Sequence, residues 1–445
     1  MIAVCPTRDH NVGLALLNGD RLVQRYRAFF SYLDWRVIPE RAATRPWPGP
    51  LPHPMRAYVK ALLIKLCEHK AYVTHLRLFL VEHPLLVLEV GFRPVLDAAQ
   101  PYGFDVERTV PCDRWLRHWQ QHLDNTLLRA LLRGTVHALQ GEIPGLGQTA
   151  AFDVKHIYAW VAQNNPKAYV PDRYDPARHP TGDPDCRLGV KTSSNQERAD
   201  GTTKQAKEYV WGYGSGVAAS TDPDYGDVVL AEYTQSFNEV DSTYYHPLYE
   251  RVVATLGVRP TNVTADAAFD AWHIYETCAT PGGIAAIPLN TRGHPTPRRL
   301  PDGTPLCPTG LAMSPSYPFA HTDGYRAQEF RCPLLHPRPT DQTCAHEQFA
   351  KGPGCVKYIN IEVGGLMRAL LDRDSAAYKD LYRQRTSTER INSQAKALGI
   401  ERPMVRNGRS VRTLNTLTYI VINVQALQRA RALTARATCA APLLC

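Results

Sequence analysis

Through the first 145 positions the apolar residues return at helical intervals. In MRAYVKALLIKLCEHK, residues 55–70, the positions Tyr58, Ala61, Leu62, Lys65 and Leu66 follow the i, i+3, i+4 spacing of one helix face. YVTHLRLFLVEHPLLVLEVGF and DRWLRHWQQHLDNTLLRALLRGTVHALQ continue it, and the breaks at HPLL and FRPVLDAAQPYGF separate the helices. The pattern predicts an all-helical module over 1–145, ending at EIPGLG.

Beyond it the period shortens. TAAFDVKHIYAW (149–160), EYVWGYGSGVAAS (208–220) and GDVVLAEYTQSF (226–237) are rich in β-branched and aromatic residues and predict strands. The polar, Pro-containing stretch between the first two predicts a long loop over about 165–207. STYYHPLYERVVATLG predicts a helix whose early part Pro247 limits. A strand TNVTAD (261–266), a helix AWHIYETC and a strand GIAAIPL follow. Three strands and then helix, strand, helix, strand is the order of a ribonuclease H-like α/β core, a mixed sheet flanked by helices. Its first part is expected over 146–287.

Residues 288–362 break the pattern. Between 288 and 360 stand 12 of the 35 prolines, about twice the chain's average density, and helical periodicity vanishes. This predicts an inserted, irregular or β-rich subdomain. Helical spacing resumes over 363–435, which completes the core, and 436–445 is a tail. TLTYIVINVQALQRARAL repeats its apolar residues at helical spacing, which reads as core packing first and a partner helix second.

One polar segment stands apart. LYRQRTSTERINSQAKALGI, residues 381–400, has no Pro or Gly before Gly399 and predicts one helix. On it Tyr382, Arg385, Glu389 and Lys396 share a stripe about 60° wide, while Leu381, Ile391, Ala395 and Leu398 form a separate apolar side.

Charge sharpens this reading. The chain carries 51 basic against 42 acidic side chains, a net +9. Between Leu381 and Arg412 eight basic residues face only Glu389 and Glu401, giving +6 in that stretch. Such a field favours a polyanion, and arginine suits phosphate. The eleven scattered cysteines do not read as a disulfide framework. The first residues show no charged segment followed by an apolar one, and no run reaches the roughly 18 apolar residues of a membrane span. The expectation is a soluble intracellular chain with reduced thiols and no membrane partner.

Two aspartates sit where chemistry collects. Asp153 lies inside an apolar strand, where a charge must be paired or bind a metal. Asp266 ends the strand TNVTAD, before a helix for which Asp270 is a good N-cap. With Glu389 as a third carboxylate, the set suits two divalent cations such as Mg²⁺ or Mn²⁺.

Here the chain resembles a known family. Tyr382-x2-Arg385-x3-Glu389-x6-Lys396 is similar to the signature of one group of bacterial insertion-sequence DDE transposases. AFDVKHIYAW looks like that group's first-Asp strand. TADAAFDAWHIYE resembles its second-Asp motif, with Ala268 where glycine is usual. The resemblance covers about 150–435, and the N-terminal module more loosely. It implies that Asp153, Asp266 and Glu389 hold two Mg²⁺ or Mn²⁺ ions. It further implies that Arg385 and Lys396 contact DNA phosphates and that Tyr382 contacts a phosphate or stacks on a base. The implied partner is double-stranded DNA, at terminal inverted repeats and at the target, engaged by a homodimer in the bacterial cytoplasm. Lys155 and His156 read as bystanders or phosphate contacts rather than bases.

Arg406, Arg409 and Arg412, three apart, read as a surface laid along a DNA backbone. Cys307, Cys332, Cys344 and Cys355 fall within 49 residues of the insertion, with His321, His336 and His346 nearby. Without a Cys-x2-Cys pair they read either as a structural zinc site or as small buried thiols. Two other functions stay open beside the transposase: a metal-dependent nuclease or resolvase on the same core, and an inactive transposase-derived DNA-binding protein.

Overall fold

A computed structural model of the chain describes residues 10–40, 52–197, 203–291 and 296–440. The first residues of the chain and the last five of the expected tail lie outside the described residues. Helices α1 (His10–Gly19) and α2 (Arg21–Ser31) flank Asp20, whose carboxylate caps α2 by accepting the Val23 N–H at 2.8 Å. Helices α3 (Met55–Cys67), α4 (Val73–Glu82) and α5 (Pro84–Val90) follow. Pro84 opens α5, where its missing N–H costs no intrahelical bond. A small ribbon of β1 (Val95–Leu96) and β2 (Phe104–Asp105) leads through α6 (Val106–Thr109) to α7 (Asp113–His122) and α8 (Asn125–Glu142).

Strands β3 (Thr149–Tyr158), β4 (Arg187–Glu197), β5 (Thr203–Asp222) and β6 (Gly226–Ser236) come next. Then follow α9 (Tyr245–Leu256), β7 (Asn262–Thr264), α10 (Trp272–Glu276) and β8 (Ala285–Ala286). The Pro-rich segment holds β9 (Ser314–Ala320), β10 (Arg326–Arg331), α11 (Glu347–Ala350) and β11 (Val356–Asn360). Helices α12 (Val363–Leu370), α13 (Ala376–Arg383), α14 (Thr386–Ala397) and α15 (Gly408–Ala440) end the chain. The architecture is mixed α/β, with a mixed sheet and flanking helices. Among the described residues no helix is long and apolar enough to cross a membrane.

Two sequence expectations are corrected here. The polar stretch 165–207 is not one loop, because β4 lies inside it and pairs antiparallel with β5, Val190 opposite Tyr209. On this strand Val190 is exposed while Leu188 packs against the core. The segment 381–400 is not one helix either. It is interrupted at Gln384 and Arg385, between α13 and α14.

The chain divides into two compact units: one comprises 1–147, 153–257 and 387–445, the other 148–152 and 258–386. In the first unit the N-terminal helices, the sheet and α15 share one apolar core. The outer part of β3 runs against β5, where Ala159 N–H donates to the Trp211 carbonyl at 3.0 Å. Gly212 is needed there, since a Cβ would meet the Ile157 oxygen at 2.0 Å. Every residue of α15 from Thr413 to Val424 is buried, so polar groups on all its faces need partners. Asn423 shows how they are met. Its Oδ1 accepts the Val229 N–H at 2.9 Å, and its Nδ2 donates to the Val229 carbonyl at 2.8 Å and to Thr135 Oγ1 at 3.0 Å. Core packing is thus the role of this apolar helix, as its spacing predicts.

The second unit carries a parallel trio. The inner residues of β3 pair with β7, and β7 pairs with β8, in the register Ala151, Thr264, Ala286. The same unit contains an antiparallel three-stranded sheet in the order β11-β10-β9.

Replacing Asn423 with leucine removes the partners of two buried Val229 groups. A loss of about 3 kcal/mol is expected, from roughly 1–3 kcal/mol per buried group left unsatisfied. It would be read as a lower urea midpoint at unchanged slope, and an unchanged midpoint would show that Asn423 does not anchor α15.

Candidate active site

In the first unit, Asp153 sits half-buried on β3. Its Oδ1 accepts the N–H of Val154 at 2.9 Å, and its Oδ2 accepts from Asn392 Nδ2 at 2.8 Å, across 239 residues. Asn392 stands on α14 three residues after Glu389, on the adjoining face. The hydrogen bond therefore joins the strand of the first carboxylate to the helix of the third. Asn392 Oδ1 is buried and has no hydrogen-bond partner among the described residues. Sequence reasoning passed over Asn392. Its signal was a residue of poor helix propensity held inside a helix, where such a side chain is kept for a polar contact.

Helix α14 lies where its apolar side requires. Ile391 and Ala395 are fully buried in the core of the first unit, and Leu398 packs against it. Glu389 is exposed in the helix's first turn, a favourable end for a carboxylate. Of the four signature residues only Glu389 and Lys396 share this uninterrupted helix, about 20° apart. Lys396 Nζ lies 3.2 Å from Glu401 Oε2, and Lys155 Nζ lies 2.8 Å from the same atom. Beside Lys155, burial and then the charges of Lys191 and Lys155 push the His156 imidazole down to about 4. At neutral pH it is uncharged and packs on the Phe237 ring at 4.4 Å.

The basic segment after α14 is ordered by aromatic rings. Tyr158 N–H donates to the Glu401 carbonyl at 2.9 Å, which lays residues 401–407 beside the end of β3. Arg402 stands over Tyr158 at 4.3 Å and Arg406 over Trp160 at 5.0 Å. Asn407, at φ +68°, caps α15 by accepting the Ser410 N–H at 2.9 Å. Arg406, Arg409 and Arg412 are all exposed, the last two on the opening turns of α15. Arg406, Trp160, Tyr72, Arg117 and Lys65 line a cavity of about 430 Å³. Burial pushes the Lys65 ammonium down to about 8, leaving it mostly charged at pH 7. A pocket with cations and ring faces is suited to a phosphate and a base.

The second unit holds Asp266, Tyr382 and Arg385. Asp266 follows β7 and caps a single 3₁₀ turn by accepting the Ala268 N–H at 2.9 Å. Asp270 is not the N-cap of α10, which begins after Ala271 with no side-chain cap. Its buried carboxylate is instead drawn into a fork with the partly exposed Arg368, at 2.7 and 2.5 Å, and it also accepts from Tyr275 Oη at 2.9 Å and the Asn290 N–H at 2.7 Å. Tyr382 stacks on Tyr378 at 5.8 Å, and Arg385 stands over Tyr382 at 5.6 Å.

The four cysteines of the insertion, also in this unit, are free. Burial pushes the Cys355 thiol up, and the nearby sulfurs of Cys307, Cys332 and Cys344 push the same way. Among the described residues no three His, Cys, Asp or Glu side chains are gathered closely enough to hold a metal ion in this structure.

Burial alone would lift the Asp270 carboxyl, but the Arg368 fork, the Asn290 N–H and the Tyr275 hydroxyl hold it below its ordinary value. Its contribution to stability is full above the unfolded value of about 3.9 and is lost as pH falls through the lower folded value. Arg368→Ala leaves a buried charge unpaired and should cost about 3 kcal/mol at pH 7. In urea titrations the gap between the two proteins should narrow as pH drops below about 4. A gap independent of pH would mean that the ion pair is not its source. Comparison with protein-family models finds no match, and no curated protein matches the chain.

Proposed function

We propose that this chain is a DNA transposase of the insertion-sequence type, cleaving DNA at transposon ends and joining them to a target on a ribonuclease H-like core. The observation that carries the reading is the Asn392–Asp153 hydrogen bond. It fastens the strand of the first carboxylate to the helix of the third, as a site built from β3 and α14 demands. Strand pairing adds support: β5 pairs antiparallel with β6, while β3, β7 and β8 run parallel, an arrangement compatible with such a core. Within the second unit Ala151 on β3 and Thr264 on β7 are register partners.

The donors fit a hard cation. Asp153, Asp266 and Glu389 offer carboxylate oxygens, and the buried, unpartnered Asn392 Oδ1 adds a neutral one. Two Mg²⁺ or Mn²⁺ ions held there would activate the attacking oxygen and neutralise charge on the leaving one. The chain's own residues supply positioning. Asn392 fixes the rotation of the Asp153 carboxylate. Glu401 holds Lys155 and Lys396 at one place, so both ammonium groups are oriented before DNA arrives. Arg406, backed by Trp160, presents its guanidinium plane, and Arg409 and Arg412 extend the cationic surface.

The deciding experiment incubates the purified chain with Mg²⁺ and DNA ending in its element's terminal inverted repeats. Joined products are expected, and Asp153→Asn or Glu389→Gln should lower their rate by about 10³-fold or more while DNA binding persists. Cleavage without joining would favour a nuclease. Binding alone, unaltered by Asp153→Asn, would sink the enzymatic reading. Asn392→Ala should raise the Mg²⁺ concentration needed for half-maximal cleavage by about 10- to 100-fold. Arg406→Ala should weaken DNA binding equally across sequences and reduce the slope of log K against log salt by about 1.

A further inference from the structure

The Pro-rich segment of the second unit has three strands and a small apolar cluster: Cys307, Met313 and Cys355 are buried together, with Phe330 packed against them. A sheet of this size needs another source of cohesion. Two of its cysteines stand at one end of a strand pair. The register of β10 and β11 places Arg331 opposite Val356, so its next step sets Cys332 opposite Cys355. Gly354 makes this approach possible. At φ +70° it occupies a region that favours glycine, and a Cβ on it would lie 2.6 Å from Cys332 Cβ and 3.4 Å from Cys332 Sγ.

The other two cysteines are held by hydrogen bonds that suit thiolates. Cys307 opens the tight turn Cys307-Pro308-Thr309-Gly310-Leu311, in which its N–H donates to the Leu311 carbonyl at 2.8 Å. Its sulfur accepts the Leu311 N–H at 3.3 Å and lies 3.0 Å from Thr309 Oγ1. Lys357 on β11 ties the preceding residue into the sheet by donating to the Leu306 carbonyl at 2.8 Å. Cys344 Sγ accepts the His346 N–H at 3.4 Å, and His346 Nδ1 lies 3.4 Å from Cys355 Sγ. The same Nδ1 accepts the Gln348 N–H at 3.3 Å as the cap of α11, so that nitrogen is engaged by the fold.

We propose that Cys307, Cys332, Cys344 and Cys355 are the four ligands of a structural Zn²⁺ ion that holds the 288–362 segment together. Four sulfurs from separate turns and strand ends make a soft, closed donor set of the kind zinc takes in structural sites. The sulfurs of Cys307, Cys332 and Cys344 lie near enough to Cys355 to act on its thiol, although among the described residues no three such side chains stand at metal-holding distance. On binding, four thiols would give up their protons to the buffer and become thiolates around the ion, for a net charge of −2 at the site. The role is independent of the carboxylates of the active site.

The test is elemental analysis of the full chain, expressed with zinc in the medium and purified under reductant without air. About one zinc per chain is expected. Substituting Co²⁺ should give the visible absorption of a tetrahedral thiolate site. Cys332→Ser and Cys344→Ser should each lose most of the metal, whereas His321→Ala should keep it. To separate loss of zinc from misfolding of a cysteine variant, the wild-type chain is also treated with a zinc chelator. Limited proteolysis should then cut first within 288–362, and re-addition of zinc should restore protection. A metal-free chain with all four thiols open to a thiol reagent overturns the proposal. Zinc retained by Cys344→Ser but lost by His346→Ala overturns the assignment of Cys344.

Discussion

The first unit rests on the satisfaction of polar groups along a helix that has no exposed face for much of its length. Between Thr413 and Val424 helix α15 is buried on all sides, yet it carries Asn415, Thr416, Thr418 and Asn423. Each is met from a different direction. Asn415 reaches Thr234 at 2.9 Å, Thr416 lies 3.0 Å from both Glu232 and Asn125, and Thr418 turns back to its own helix at the Leu414 carbonyl. Asn423 meets both backbone groups of Val229 on β6, next to a register shift in the pairing of β5 with β6. An apolar helix could pack here in several rotations. These bonds favour one, because other rotations would break them, although Asn415 Oδ1 is buried here without a partner among the described residues. The price of that selectivity is a core intolerant of small errors.

From that fixed helix the candidate site follows. Helix α15 packs on β6 and on α8, and the same core takes in Ile391 and Ala395 of α14. Arg390 adds a second tie, a two-pronged fork at 2.7 Å to the buried carboxylate of Asp227, at the start of β6. Helix α14 is thus held by apolar contacts on one side and a charged fork on another. Asn392 can then fix Asp153 without itself having to hold the helix. Such support is what a positioning residue needs, since a loosely held amide orients nothing.

Much of this was legible in the sequence, and the losses have particular causes. The strands at 149–158, 203–222 and 226–236 were visible because β-branched and aromatic residues crowd them. Strand β4 was hidden because its sequence is mostly polar, and backbone pairing with β5 does not require apolar side chains. The interruption at Gln384 and Arg385 was hidden for the opposite reason, as both residues favour helix. Locally, the Thr386 hydroxyl donates to the Arg383 carbonyl at 2.9 Å, offering that carbonyl a partner outside the helical ladder. The charge surplus was legible as a number but not as an arrangement. Arg390 is spent on the buried Asp227, whereas the exposed Lys396 shares Glu401 with Lys155, and Arg402 and Arg406 lie over rings. Composition cannot tell a charge used inside the fold from one offered to a ligand.

The second unit solves the same problem of definition with fewer apolar residues. Around Asp266 the chain makes a 3₁₀ turn only a few residues long, too short to hold its direction alone. Four residues on, Asp270 is gripped by Arg368, Tyr275 and the Asn290 N–H. Arg373 in turn donates to Tyr275 Oη at 2.9 Å and to the Ile287 carbonyl at 3.0 Å, just beyond β8. The far end of the turn is therefore clamped to α12 and to the end of a neighbouring parallel strand, while β7 fixes its near end. A buried ion pair contributes little net stability compared with apolar packing, but it tolerates few geometries. The fork between Arg368 and the buried Asp270 carboxylate therefore fixes the direction of the turn that Asp266 begins more narrowly than apolar packing would.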